Sequence, residues 1–182
     1  MPSLEPHIAN VLSMRGSEAG LIDAELTSLI EESPIQSLGE GPDFPELRKW
    51  INQNSRSTAP LVRCGLWLLC GDINASHEIS QTIETPDGSF WHGIMHRREG
   101  DFWNSKYWFR RVGKHPVLAA LASTPYGDAQ KFVDRCEAAS GGDAETQANL
   151  AELQWREWQE LFAHTVLTAG AARTSRGRFS ES

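Results

Sequence analysis

An apolar stripe in the last third of the chain constrains the fold most. Ala151, Trp155, Trp158 and Phe162 follow one another at steps of four, three and four. Those steps return to one face of an α-helix and to no single face of a strand. Three large rings on that face must be buried, so other elements have to cover it. The spacing predicts a long helix that starts at Asp143 and packs its aromatic side inward.

The segments available to cover it also read as helices. "AGLIDAELTSLIEES" sets Leu21, Ile22, Leu26, Leu29 and Ile30 at helical spacing, and Pro34 ends it. "QSLGEGPDFP" is a loop. "PELRKWINQNS" turns Leu47, Trp50 and Ile51 to one side, and "APLVRCGLWLLCG" is apolar nearly all round, as a buried helix is. Asp72 is placed to cap a helix over about residues 73–83. "TPDGS" reads as a turn, followed by a helix over about 89–98. Gly100 breaks that helix, Asp101 caps the next, "FWNSKYWFRRV", and Gly113 closes it. Pro116 suits the first turn of "PVLAALAS". "DAQKFVDRCEAA" is a further helix, stopped by Gly141 and Gly142. Residues 1–18 are weakly patterned. No pair of segments alternates with period two, and no internal repeat appears.

These segments predict an all-α protein: a single compact multi-helix domain of seven to nine helices over residues 1–170. Residues 171–182 are expected to be a flexible basic tail. A chain of 182 residues, 40% hydrophobic and 23% charged, is long enough for one well-buried core. The net charge of −7 argues against a phosphate-backbone partner, so nucleic acid is not expected. The longest apolar run, "GLWLLCG", is too short to span a bilayer, so no membrane partner is expected. "MPSLEPHIANVLSMRG" lacks a basic stretch followed by an apolar core, and the expected location is the cytoplasm. Cys64, Cys70 and Cys136 lack metal-knuckle spacing and read as small buried apolar residues.

The chemistry concentrates in residues 75–113. His92 and His96 lie one turn apart and leave the same helix face. If the helices on either side of "TPDGS" fold back on each other, His77 comes level with His96. Three imidazoles, with Glu99 as a further candidate ligand, suit a divalent metal such as Zn, Fe or Mn, with a position left for water or substrate. The competing explanation is that each histidine is separately hydrogen-bonded in the core or at the surface. Without metal, three close histidines still serve as acid–base groups. Glu78, beside His77, is the candidate general base, and the Tyr107 hydroxyl is the candidate donor. Arg97, Arg98, Lys106, Arg110 and Arg111 are candidates to hold a small acidic ligand. Each also has an ordinary role at a helix C-terminus, in an ion pair or in solvent. Phe90, Trp91, Phe102, Trp103, Tyr107, Trp108 and Phe109 are mainly core by this reading, with Trp103 assigned to a ligand pocket. A non-catalytic binding module, or a homodimer formed through a Trp-rich face, is the alternative.

"FWHGIMHRREGDFWNSKYWFRRVGKHPV", residues 90–117, resembles the signature of a family of uncharacterised proteins seen mostly in bacteria and also in fungi. The "MHRREGD" and "KYWFRRVG.HP" pieces carry the resemblance, which extends over residues 60–118. It implies a soluble, self-contained protein and assigns no role to any residue.

Overall fold

The computed structural model describes residues 4–13 and 22–177. It is 70% helical, and the described residues contain no strand. Among the described residues ten helices occur, in the order α1 (Pro6–Ser13), α2 (Ala24–Glu32), α3 (Pro45–Gln53), α4 (Pro60–Leu69), α5 (Ile73–Ser80), α6 (Pro86–Glu99), α7 (Phe102–Val112), α8 (Pro116–Leu121), α9 (Ala129–Ala138) and α10 (Ala144–Gly177). The all-α expectation holds. The count exceeds seven to nine because the weakly patterned N-terminal stretch forms α1. Ile8 and Leu12 of α1 are buried, and the helix packs on α10. Leu21, assigned to the second helix by its spacing, lies outside the described residues. Helix α10 continues to Gly177, past the point where a tail was expected, and residues 178–182 lie outside the described residues.

Capping explains most boundaries. Asp23, Asp72, Asp101 and Asp128 each accept a backbone N–H from the first turn of the helix that follows, satisfying one of the donors that a helix start leaves without an intrahelical partner. Pro45, Pro60, Pro86 and Pro116 each occupy the first helical position, where the missing N–H costs nothing. "TPDGS" departs from its expected role as a turn. Thr85 is the N-cap of α6, its hydroxyl accepting from Gly88 N–H at 3.1 Å, and Pro86 begins the helix. The same Thr-Pro-Asp-Gly letters that mark a turn also mark a helix start.

The α10 stripe is buried as its spacing required. Trp155 and Trp158 stack at 5.1 Å, and Trp158 and Phe162 at 4.6 Å. Helix α4 lies against it, and the Trp158 indole N–H donates to Gly65 O at 2.8 Å. A Cβ at Gly65 would come within 2.8 Å of Phe162 and 2.9 Å of Trp91, so close contact of α4, α6 and α10 depends on this glycine. Burial of Cys64, Cys70 and Cys136 follows the expectation, and all three are free thiols. Burial pushes the Cys64 thiol up to about 12.

Helix α6 is the centre of the molecule. Every residue from Gly88 to Arg98 is buried, including His92, His96, Arg97 and Arg98. An all-round buried helix must have partners for its polar side chains. It packs most extensively on α7 and also contacts α4 and α5, and its polar residues divide between two surroundings. Arg97 and Arg98 turn into the core, whereas His92 and His96 turn toward α5 and α7.

Candidate metal centre

His77 near the C-terminal end of α5 meets His92 and His96 of α6. The ring centroids lie 4.9 Å apart for His77 and His92, 5.3 Å for His77 and His96, and 4.7 Å for His92 and His96. One ring nitrogen from each lies within 4.8 Å of the others. Tetrahedral zinc sets nitrogen pairs about 3.4 Å apart, so each pair has at most about 1.4 Å to close to bring three ligands onto one ion. His77 is only half-buried at a helix end and has the most room to turn.

The surroundings of His92 and His96 favour neutral rings. His92 is 3% exposed and stacked face to face on Trp108 at 4.0 Å. Burial, with lesser contributions from His96 and His77, pushes its pKa down to about 3. Its Nδ1 is sealed from solvent without a hydrogen-bond partner among the described residues. Such an atom is costly in a folded core and calls for an explanation. Burial also lowers His96, against the opposing pull of Glu99. His96 Nδ1 lies 3.0 Å from Glu99 Oε2, and Asn104 Nδ2 lies 3.0 Å from His96 Nε2. Glu99 therefore meets the cluster through the back of His96. Asn104 was not singled out in the sequence. Its place follows from Asp101, which caps α7 through the Asn104 backbone N–H at 3.1 Å.

The other expected site residues divide into two groups. Tyr107 and Arg111 lie on α7 next to Trp108. The Arg111 guanidinium sits 5.2 Å from the Trp108 ring centroid and 5.9 Å from that of Tyr107, and donates to the Tyr107 hydroxyl at 3.4 Å. Trp103 stacks on Tyr107 at 6.5 Å and is 74% exposed. Arg110 is exposed on the same helix, and Glu78 is exposed beside His77. The anion clamp expected from the full arginine set does not assemble. Arg97 is fully buried, with both terminal nitrogens on Glu157 of α10 and one also on Gln154 at 3.3 Å. Arg98 donates to Gly39 O at 3.2 Å, Leu68 O at 2.5 Å and Gln36 Oε1 at 3.1 Å, and burial lowers it to about 10. Lys106 pairs with Asp134 and Glu137 on α9. Each of these cations already has partners away from the histidines, so a ligand would have to break them.

A second polar cluster was missed. Asp87 Oδ1 lies 2.8 Å from His115 Nε2 and 3.3 Å from His164 Nε2. The two rings are 4.8 Å apart. His115 Nδ1 accepts the Val117 N–H at 3.2 Å as N-cap of α8. With its lone pair committed to the cap, the neutral ring of His115 carries its hydrogen on Nε2, which donates a hydrogen bond to the Asp87 carboxylate. The cluster's ligand atoms also lie within 4.8 Å of one another, but a metal on His115 Nε2 would have to displace the cap at Nδ1, and the hydrogen bonds already in place staple α6, α8 and α10. The readable signal was a histidine immediately before the proline of a helix start.

No family model, no curated protein and no solved structure matches the chain. No helix among the described residues is long and apolar enough to cross a membrane.

Proposed function

We propose that this protein binds a divalent metal such as Zn, Fe or Mn through His77, His92 and His96, and acts as a metal-dependent hydrolase or oxidoreductase on a small acidic molecule. The observation that carries the reading is the grouping of three ring nitrogens within 4.8 Å of one another. Neutral imidazole is the form that ligates, and burial keeps His92 in that form. A metal held by three histidines supplies a Lewis acid with a further position for water or substrate. Of the chain's own groups, Glu78 is the base candidate beside His77. Arg111 is the anion contact, with its guanidinium held by two rings and the Tyr107 hydroxyl.

Metal content and titration of the purified full chain test this directly. Zn²⁺ or Co²⁺ is expected to bind at one ion per chain. His92→Ala with His96→Ala should abolish that binding while helical content is kept. A wild-type protein that binds neither ion above background would end the proposal. The catalytic half predicts that metal-loaded protein turns over carboxylate- or phosphate-bearing esters, or, loaded with Fe²⁺ and supplied with O₂ as the oxidant, oxidises a small acid, and that Arg111→Ala raises KM more than it lowers kcat.

The 74% exposure of Trp103 beside Tyr107 and Arg111 favours a second reading. In it this face of α7 seats a ligand or a second copy of the chain without catalysis. Binding or association that survives loss of His92 and His96 but not of Trp103 would select it.

A further inference from the structure

We propose that the Asn104 amide competes with the metal for the His96 Nε2 lone pair and so sets how tightly the centre loads. The inference rests on the metal-binding reading above and deepens it by naming how loading is controlled.

Donor and acceptor roles set the hydrogen positions on His96. The Glu99 carboxylate only accepts, so the His96 Nδ1 that faces it at 3.0 Å carries the ring hydrogen. In a neutral ring Nε2 is then a bare lone pair. The Asn104 group 3.0 Å from it must be the NH₂ end, because an amide oxygen there would face a second lone pair. Both nitrogens of His96 are thus already satisfied. Glu99 favours ligation through Nε2, as carboxylates behind metal-bound histidines do. A metal arriving at Nε2 has to displace the amide.

The chain fixes the backbone that carries that amide. Gly100 ends α6 in the left-handed region at φ 87°, and the Asp101 N–H donates back to His96 O at 3.0 Å. Asp101 then caps α7 through the Asn104 N–H at 3.1 Å. This corner fixes the start of α7 against the last turn of α6, with Asn104 half-buried over His96. Displacing the amide costs about as much as a net hydrogen bond.

Competition predicts a direction that a packing role does not. Removing a residue that merely supports the site weakens binding, whereas removing a competitor tightens it. Zn²⁺ and Co²⁺ titrations against a chelating indicator would compare wild type with Asn104→Ala, Asn104→Leu and Glu99→Gln, with helical content checked by circular dichroism. Both Asn104 variants should bind about threefold to tenfold tighter, and Glu99→Gln about tenfold or more weaker. The Co²⁺ absorption bands should stay the same in the Asn104 variants, since the three ligands are unchanged. The leucine variant fills the space without a donor and decides the matter if the alanine variant unfolds. Equal or weaker binding by the folded Asn104 variants, with stoichiometric wild-type binding lost on His92→Ala, would overturn this inference and leave the metal reading standing. No binding by wild type or by either Asn104 variant would remove both.

Discussion

Asp87 accepts from two histidines whose roles were not evident in the sequence, and it lies in the first turn of α6, where a negative charge is favoured. The His115 hydrogen bond is the main reason its carboxyl is held below the ordinary value of 3.8, with burial opposing. A carboxylate with a depressed folded-state pKa contributes stability above the unfolded value, and that contribution is lost as pH falls through the folded value. Asp87→Asn should therefore lower unfolding free energy at pH 7 by about 1–3 kcal/mol. The gap to wild type should narrow as pH drops below 3.8. Guanidinium denaturation at pH 7 and at pH 3 measures both values, and a gap that widens at pH 3 would contradict the assignment. The meeting of Asp87, His115 and His164 was not legible because they belong to α6, the cap of α8 and α10, and only tertiary packing joins them. His92 and His96 were legible as a same-face pair because one helical turn fixes their relation locally.

Among the elements, α6 and α7 set the geometry of the centre through two glycines with different roles. Gly100 sits at positive φ with open space where a side-chain methyl would stand, so Gly100→Ala meets only backbone strain. A cost of about 1–2 kcal/mol is expected. Gly93 lies where α7 crosses α6, and a Cβ there would stand 3.1 Å from the Phe109 ring. That ring is hemmed by Phe90 at 5.4 Å and by Arg97 on its face at 5.9 Å, so it has little room to yield. Gly93→Ala should cost about 1–3 kcal/mol. It should also weaken metal binding, because Trp108, stacked on His92, moves with α7. Denaturation and Zn²⁺ titration of both variants separate the cases: Gly100→Ala should lose mainly stability, Gly93→Ala both. The α6–α7 corner was readable from "EGD", since glycine stops one helix and aspartate starts the next. The start of α6 was not, because Thr-Pro-Asp-Gly satisfies turn and cap rules alike, and only the burial of Phe90 and Trp91 in the core decides between them.

Across the whole molecule, Arg97, Glu157 and Tyr126 form a buried ionic link between the central helix and α10. Arg97 grips Glu157 with both terminal nitrogens, and the Tyr126 hydroxyl donates to the same carboxylate at 2.6 Å. All three side chains are essentially sealed from solvent. Burial alone would lower the Arg97 pKa, but the charge and hydrogen bonds of Glu157 outweigh it and hold the guanidinium above its ordinary value. An arginine beside a histidine pair in the sequence reads as ligand-binding, because its partner lies 60 residues away and no local pattern points to it. Loss of one member leaves a buried charge without its partner, so Glu157→Ala should destabilise by about 3–5 kcal/mol. For a chain of this size that is a fall in Tm of roughly 10 °C. Arg97→Met combined with Glu157→Leu removes both charges and keeps most of the volume, and should recover much of the loss. Thermal denaturation of the two single variants and the double variant, each with and without Zn²⁺, tests the assignment. A double variant no more stable than either single one would show that the pair is not the coupled unit described. The double variant should also retain metal binding, since Arg97 faces away from His92 and His96, whereas an arginine acting at the centre could not be replaced without loss there.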